Sequence, residues 1–136
     1  MTRILLLLAS LGLVASAATA DEVVVILNPA NSVTLTPKDI SNLFLGKTST
    51  FPDGKPARAL SLQDGSAVRD EFNRKFLKKT NQQLDAYWAS LIFTGRVTPP
   101  RQVATEADVR AQVETNRDAI GFVRESVAGD KVRAVR

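Results

Sequence analysis

The chain contains no histidine and no cysteine. Any chemistry it performs must therefore do without the commonest general base, the soft metal ligands and a thiol nucleophile. Carboxylates remain, and hydrolysis would need two of them on one site. The acids, however, are scattered, and those such as Asp70-Glu71 and Asp85 fall on the expected solvent faces of helices. No enzyme activity, metal or cofactor is expected. One stretch is better suited to binding: a strand over Arg58 to Leu62 leads into Asp64-Gly65-Ser66 and then into a helix. At such a junction successive backbone N–H groups, the helix dipole and a hydroxyl together suit an oxyanion. The plainer alternative is that Ser66 only caps its own helix while Asp64-Gly65 makes the turn.

The elements that would position this turn are readable in order. Glu22 to Leu27 is a continuous β-branched run ending at Asn28-Pro29, the habit of a strand buried on both faces in a parallel sheet. Thr36 as N-cap, Pro37 at the first helical position and Asp39 in the first turn open a helix that carries Ile40, Leu43 and Phe44 and stops at Gly46. Residues 47–55 have the composition of a loop. After Ser66, the spacing of Val68, Phe72 and Phe76 gives one apolar helix face. Thr80 caps a further helix expected to turn Leu84, Trp88, Leu91 and Ile92 inward before Gly95. Pro99-Pro100 breaks the chain, Thr105 to Asp108 opens a helix with Val109 and Val113 one turn apart, and Ile120 to Val123 reads as a strand, with a closing strand near Val132 to Val135. Strands alternating with helices predict a single α/β domain, a central mostly parallel sheet flanked by helices and linked by crossovers.

Composition narrows the setting. Met1-Thr2-Arg3, an apolar stretch from Ile4 to Val14 and small residues ending Ala18-Thr19-Ala20 form a secretory signal pattern. The apolar stretch spans only ~16 Å as a helix against the ~30 Å hydrocarbon core, so cleavage after Ala20 is expected rather than retention as an anchor. Residues 1–20 are thus expected to be a leader and 21–136 the mature domain, delivered to the periplasm or otherwise secreted. With no cysteine, no disulfide staples it. The formal net charge is +4, without a basic block interleaved with aromatics, so nucleic acid is not implied. Arg74-Lys75 and Lys78-Lys79 fall where a helix ends, where cations complement its dipole.

Four landmarks in one order resemble the phosphate-binding components of ABC transporters. Leu35 to Ile40 with Phe44-Leu45-Gly46-Lys47 resembles that family's helix ending in a Leu-Gly-Lys signature. Phe51-Pro52-Asp53-Gly54 resembles its tryptophan-containing loop, Asp64-Gly65-Ser66 its ligand-binding turn, and Asp118 to Val123 its Gly-Ala-Ile-Gly-Tyr-Val strand. The resemblance implies one lobe of the type II periplasmic-binding fold, a stand-alone second lobe without its companion. It also implies a solute-binding role with phosphate or another small oxyanion as ligand, and a transporter, an envelope protein or a second copy of the chain as the opposing wall. The family's turn resembles Arg-x-Asp-Gly-Ser-Gly-Thr. Here Leu62 stands in place of the arginine, Ala67 in place of a glycine and Val68 in place of the threonine. Gln63 offers an amide donor, and Arg69 offers a substitute cation one residue further on, although its position in the first helical turn points it toward solvent. The ligand-binding candidates are accordingly Asp64, Gly65, Ser66, Ala67 and Arg69. A second reading keeps the fold as an interaction or sensory module without phosphate binding.

Overall fold

The computed structural model describes residues 21–95 and 97–136; the expected leader lies outside them. The strands are β1 (Val23–Leu27), β2 (Arg58–Leu62), β3 (Arg101–Val103), β4 (Ala119–Arg124) and β5 (Arg133–Val135). The helices are α1 (Pro37–Phe44), α2 (Ala67–Phe72), α3 (Asn81–Ile92), α4 (Glu106–Thr115) and the single turn α5 (Glu125–Ala128), and α2 runs directly into a π-helical turn over Asn73–Leu77. The strands form one sheet in the order β3-β2-β4-β1-β5.

Strand β2 is parallel to both β3 and β4, while β1 is antiparallel to both β4 and β5. Four strands therefore point one way and β1 alone runs against them. The sheet is mostly parallel in direction, as expected, but the strand whose composition most suggested parallel pairing is the reversed one. Continuous burial of Val23 to Leu27 reports covering on both faces, and strand direction does not enter into that. Phe44, Phe72 and Phe122 meet on one face, with Phe72 and Phe122 stacked at 3.9 Å and Phe44 edge-on to Phe72 at 4.6 Å. Val109 and Val113 of α4 cover the other. Gly121 of β4 is what lets α4 approach: a Cβ there would lie 2.5 Å from Val109 Cγ1, so no side chain fits without displacing the helix.

Local signals act as their chemistry dictates. Thr36 and Asp39 form a reciprocal capping box, Asp39 N donating to Thr36 Oγ1 at 3.1 Å and Thr36 N to Asp39 Oδ2 at 2.8 Å. The Thr36 backbone and hydroxyl contacts hold the Asp39 carboxyl below its ordinary value. The cap contributes fully at neutral pH and is lost as pH falls through that lowered value. Thr80 and Gln83 repeat the device at the start of α3.

Four expectations are corrected. The Val68–Phe72–Phe76 face is interrupted because the π turn inserts an extra residue: Leu77 is buried and Phe76 is left half-buried, stacked on Phe72 at 5.1 Å. The apolar side of α3 is covered as far as the half-buried Trp88 and Leu91 and is exposed at its end. Leu84 is buried and Tyr87 donates to the Leu45 carbonyl at 2.7 Å, but Ile92 is 56% exposed and Phe93 just beyond is 96% exposed. Periodicity identifies an apolar stripe and says nothing of whether another element lies over all of it. The basic residues after α2 do not simply serve a helix end, since Lys75 Nζ donates to the Val23 carbonyl at 3.0 Å and pairs with Glu22 at 3.6 Å, tying the π turn to the start of β1. Nor are Asp70 and Glu71 wholly solvated: Asp70 accepts from the Asn81 amide, and Glu71 pairs with Arg124 at 3.2 Å.

Candidate functional site

The candidate turn leaves the sheet at the carboxyl end of β2, the end at which open α/β sheets gather their ligands. Leu62, the last strand residue, is 3% exposed and belongs to the core. Gln63, Asp64 and Gly65 then stand exposed. The turn closes through Ser66 N donating to the Gln63 carbonyl at 3.3 Å, with Gly65 at φ +88. A Cβ at Gly65 would meet nothing within 4 Å, so the glycine is needed there for its left-handed backbone and not for room.

Ser66 is the N-cap of α2. Its Oγ accepts from Arg69 N at 3.2 Å and its carbonyl accepts from Asp70 N at 3.1 Å. Capping uses a lone pair, so the hydroxyl proton stays free to donate outward. Ala67 and Val68 occupy the first two helical positions, whose N–H groups point out of the helix start with no intrahelical acceptor. The Val68 side chain is 7% exposed and packs with Phe72 in the core, so at this position only the amide is available to a ligand. The capping reading and the oxyanion reading of Ser66 are thus both compatible with one geometry.

Arg69 departs from expectation. Its side chain is 11% exposed instead of reaching into solvent, and Nη1 lies 3.2 Å from the Leu62 carbonyl and 2.6 Å from Asp64 Oδ1. The long side chain folds back over the first turn because a strand-end carbonyl and a carboxylate both lie within its reach, and a guanidinium can serve both. A guanidinium thus lies at the corner where β2 ends and the turn begins. Asp64, 74% exposed, occupies it as counter-ion. Behind the turn, Arg69 also borders a cavity of about 60 Å³ with Ser61 and Gln102, on the scale of one or two waters. A larger cavity, about 670 Å³, lies elsewhere, against Lys47, Arg58 and Arg101. These three come from separate segments, and although Lys47 closes the Leu-Gly-Lys stretch, nothing local in the sequence joins it to Arg58 and Arg101.

Of the five candidates, the structure brings Asp64, Gly65, Ser66, Ala67 and Arg69 together at one corner. Among the described residues, no group of three or more His, Cys, Asp or Glu is placed to hold a metal, and no helix is long and apolar enough to cross a membrane.

No family model matches the sequence, and no curated protein matches it. Solved structures do. An ABC-type phosphate transport receptor from Vibrio cholerae superposes with a TM-score of 0.68 at 19% identity, over 85% of this chain and 46% of that one. A phosphate ABC transporter substrate-binding protein with bound phosphate from Clostridium perfringens gives 0.67 at 22% identity, over 85% and 44%. PstS from Borrelia burgdorferi gives 0.60 at 12%, over 79% and 42%. The chain thus spans less than half the length of each of these structures, and it has the fold of one of their lobes.

Proposed function

We propose that this chain, folded as one lobe of a phosphate-transport substrate-binding protein, is an exported solute-binding module that presents the 64–66 turn to a small oxyanion, phosphate foremost. The observation that carries the reading is Arg69: a guanidinium largely withdrawn from water and turned onto the end of β2, beside the outward N–H groups of Ala67 and Val68 and the Ser66 hydroxyl. Cation, amides and hydroxyl from four consecutive residues are the kinds of group that oxyanion recognition uses. Residues 1–20 act as a leader cleaved after Ala20, and the mature domain works in the periplasm. Because a single lobe offers one wall of a cleft, tight binding calls for a second wall, from a transporter component, another envelope protein or a second copy of the chain.

A titration of the mature domain with phosphate at constant ionic strength, followed by calorimetry, tests this. A saturable heat with Kd in the range of about 0.1–10 mM is expected for an open half-site. No heat from a folded, monodisperse sample would move the assignment to the second reading, an interaction or sensory module that keeps the fold and has given up the anion. That reading is favoured by the burial of Leu62 where the family carries its arginine, and by the exposure of Ile92 and Phe93 at the end of α3.

A further inference from the structure

The cavity of about 670 Å³ is bordered by the first half of β2, from Arg58 to Leu60. Arg58 lies beside Ala119 at the starts of β2 and β4, and Arg101 lies beside Leu60 in the middle of β2, whereas the 64–66 turn follows the last residue of that strand. None of the five turn candidates lines the cavity.

The cavity's charge is one-sided. Lys47, Arg58 and Arg101 line it, and no aspartate or glutamate does. Among the described residues, Arg69, Lys75, Arg110, Arg124 and Arg136 each pair with a carboxylate, while Lys38, Lys55, Arg74, Lys78 and Lys79, like the cavity cations, do not. None of the three cavity side chains takes part in those ion pairs, and none donates to any of the side-chain hydrogen bonds. Helix ends do not account for them. The last carbonyls of α1 are met by the backbone N–H groups of Leu45, Gly46, Lys47 and Thr48, and the Gln112 carbonyl near the end of α4 is met by the N–H and side-chain amide of Asn116. Three exposed basic side chains thus border one concavity that no carboxylate borders, a charge balance that favours an anionic occupant.

Ser49, Thr98 and Gln112 add neutral donors, while Leu43, Ala59 and Pro100 give the wall an apolar side. A volume of this size is that of a site for an organic ligand and far exceeds a bare inorganic anion. We propose that this cavity binds a small organic polyanion, a molecule carrying at least two negative charges as carboxylates or a phosphate ester on an apolar frame. The inference does not depend on phosphate binding at the turn.

Citrate and phenyl phosphate, titrated separately at fixed ionic strength and followed by calorimetry, are the probes; the first stands for carboxylate and the second for phosphate-ester ligands. At least one is expected to bind the mature domain with a 1:1 stoichiometry. Arg58→Gln with Arg101→Gln is expected to weaken that binding by about tenfold for each charge-assisted contact removed, roughly 100-fold together. Lys38→Gln, an exposed cation outside the cavity, should leave it unchanged. Circular dichroism verifies that each variant is folded, and Lys47→Gln provides a further single change on an exposed side chain should the double variant not fold. No heat with either probe up to roughly 10 mM, or equal affinity in wild type and in the folded cavity variants, overturns the proposal. A loss caused by Lys38→Gln as large as that caused by the arginine changes would mean general charge attraction and would also overturn it.

Discussion

Replacing Phe72 by Ala is expected to destabilise the domain by about 3–5 kcal/mol, the cost of deleting a large, fully packed aromatic ring. The residue is 1% exposed and stands at the centre of a cluster joining four elements. It stacks on Phe122 of β4 at 3.9 Å with the rings 5° from parallel, meets Phe44 of α1 at 4.6 Å and lies 5.1 Å from Phe76 in the π turn. No disulfide shares this work, because the sequence has no cysteine. Urea unfolding of wild type and variant measures the difference. Phe76→Ala provides the internal comparison: half-buried and touching fewer partners, it should cost clearly less. A Phe72→Ala loss under about 0.5 kcal/mol, the scale of an unremarkable surface change, would contradict this description of the core. The cluster matters to the site as well, since Phe72 seats the helix whose first turn carries Ser66, Ala67, Val68 and Arg69.

The second large effect concerns affinity. Arg69→Ala is expected to raise the Kd for phosphate by about 10- to 100-fold, the equivalent of one charge-assisted hydrogen bond at ~1.5–3 kcal/mol. The guanidinium is only 11% exposed, so solvent screens it little, whereas its counter-ion Asp64 is 74% exposed and free to turn away when an anion arrives. Arg69→Lys separates charge from geometry. An ammonium retains the positive charge but lacks the planar fork, so the conservative variant should fall between wild type and alanine. Calorimetry on all three proteins, with urea unfolding to exclude loss of fold, provides the measurement. Equal Kd values across the series would remove Arg69 from the site.

Much of the framework was legible in the sequence because it depends on local chemistry. The Thr36, Ser66, Thr80 and Thr105 caps and the position of α4 follow from hydroxyl-bearing residues placed before apolar periodicity, and the bounds of β2 from the loop before it and the turn after it. What escaped depends on tertiary surroundings. The direction of β1 is set by its neighbours β4 and β5, and a run of five buried residues reads the same in either direction. The π turn changes the phase of a helix by one residue, which a regular four-residue spacing hides. The exposed end of α3 reflects the absence, among the described residues, of anything lying over Ile92 and Phe93.

The site shows the same division. Asp64-Gly65-Ser66 was visible as a strand–turn–helix junction because turn chemistry is local. The inward fold of Arg69 was not: a first-turn arginine on a helix normally extends into water, and here the Leu62 carbonyl and the Asp64 carboxylate draw it back. That the Arg69 guanidinium reaches the backbone of Leu62, seven residues earlier, is visible only in three dimensions. Lys47, Arg58 and Arg101 are likewise brought to one cavity by the folding of three separate segments.

The most direct test of the central claim is an amide-resolved NMR titration of the mature domain with phosphate at constant ionic strength. Saturable shifts concentrated at the Gly65, Ser66, Ala67 and Val68 amides, and moved to about 10- to 100-fold higher phosphate by Arg69→Ala, are predicted. Shifts confined to other parts of the chain, or none up to roughly 10 mM phosphate, would contradict it.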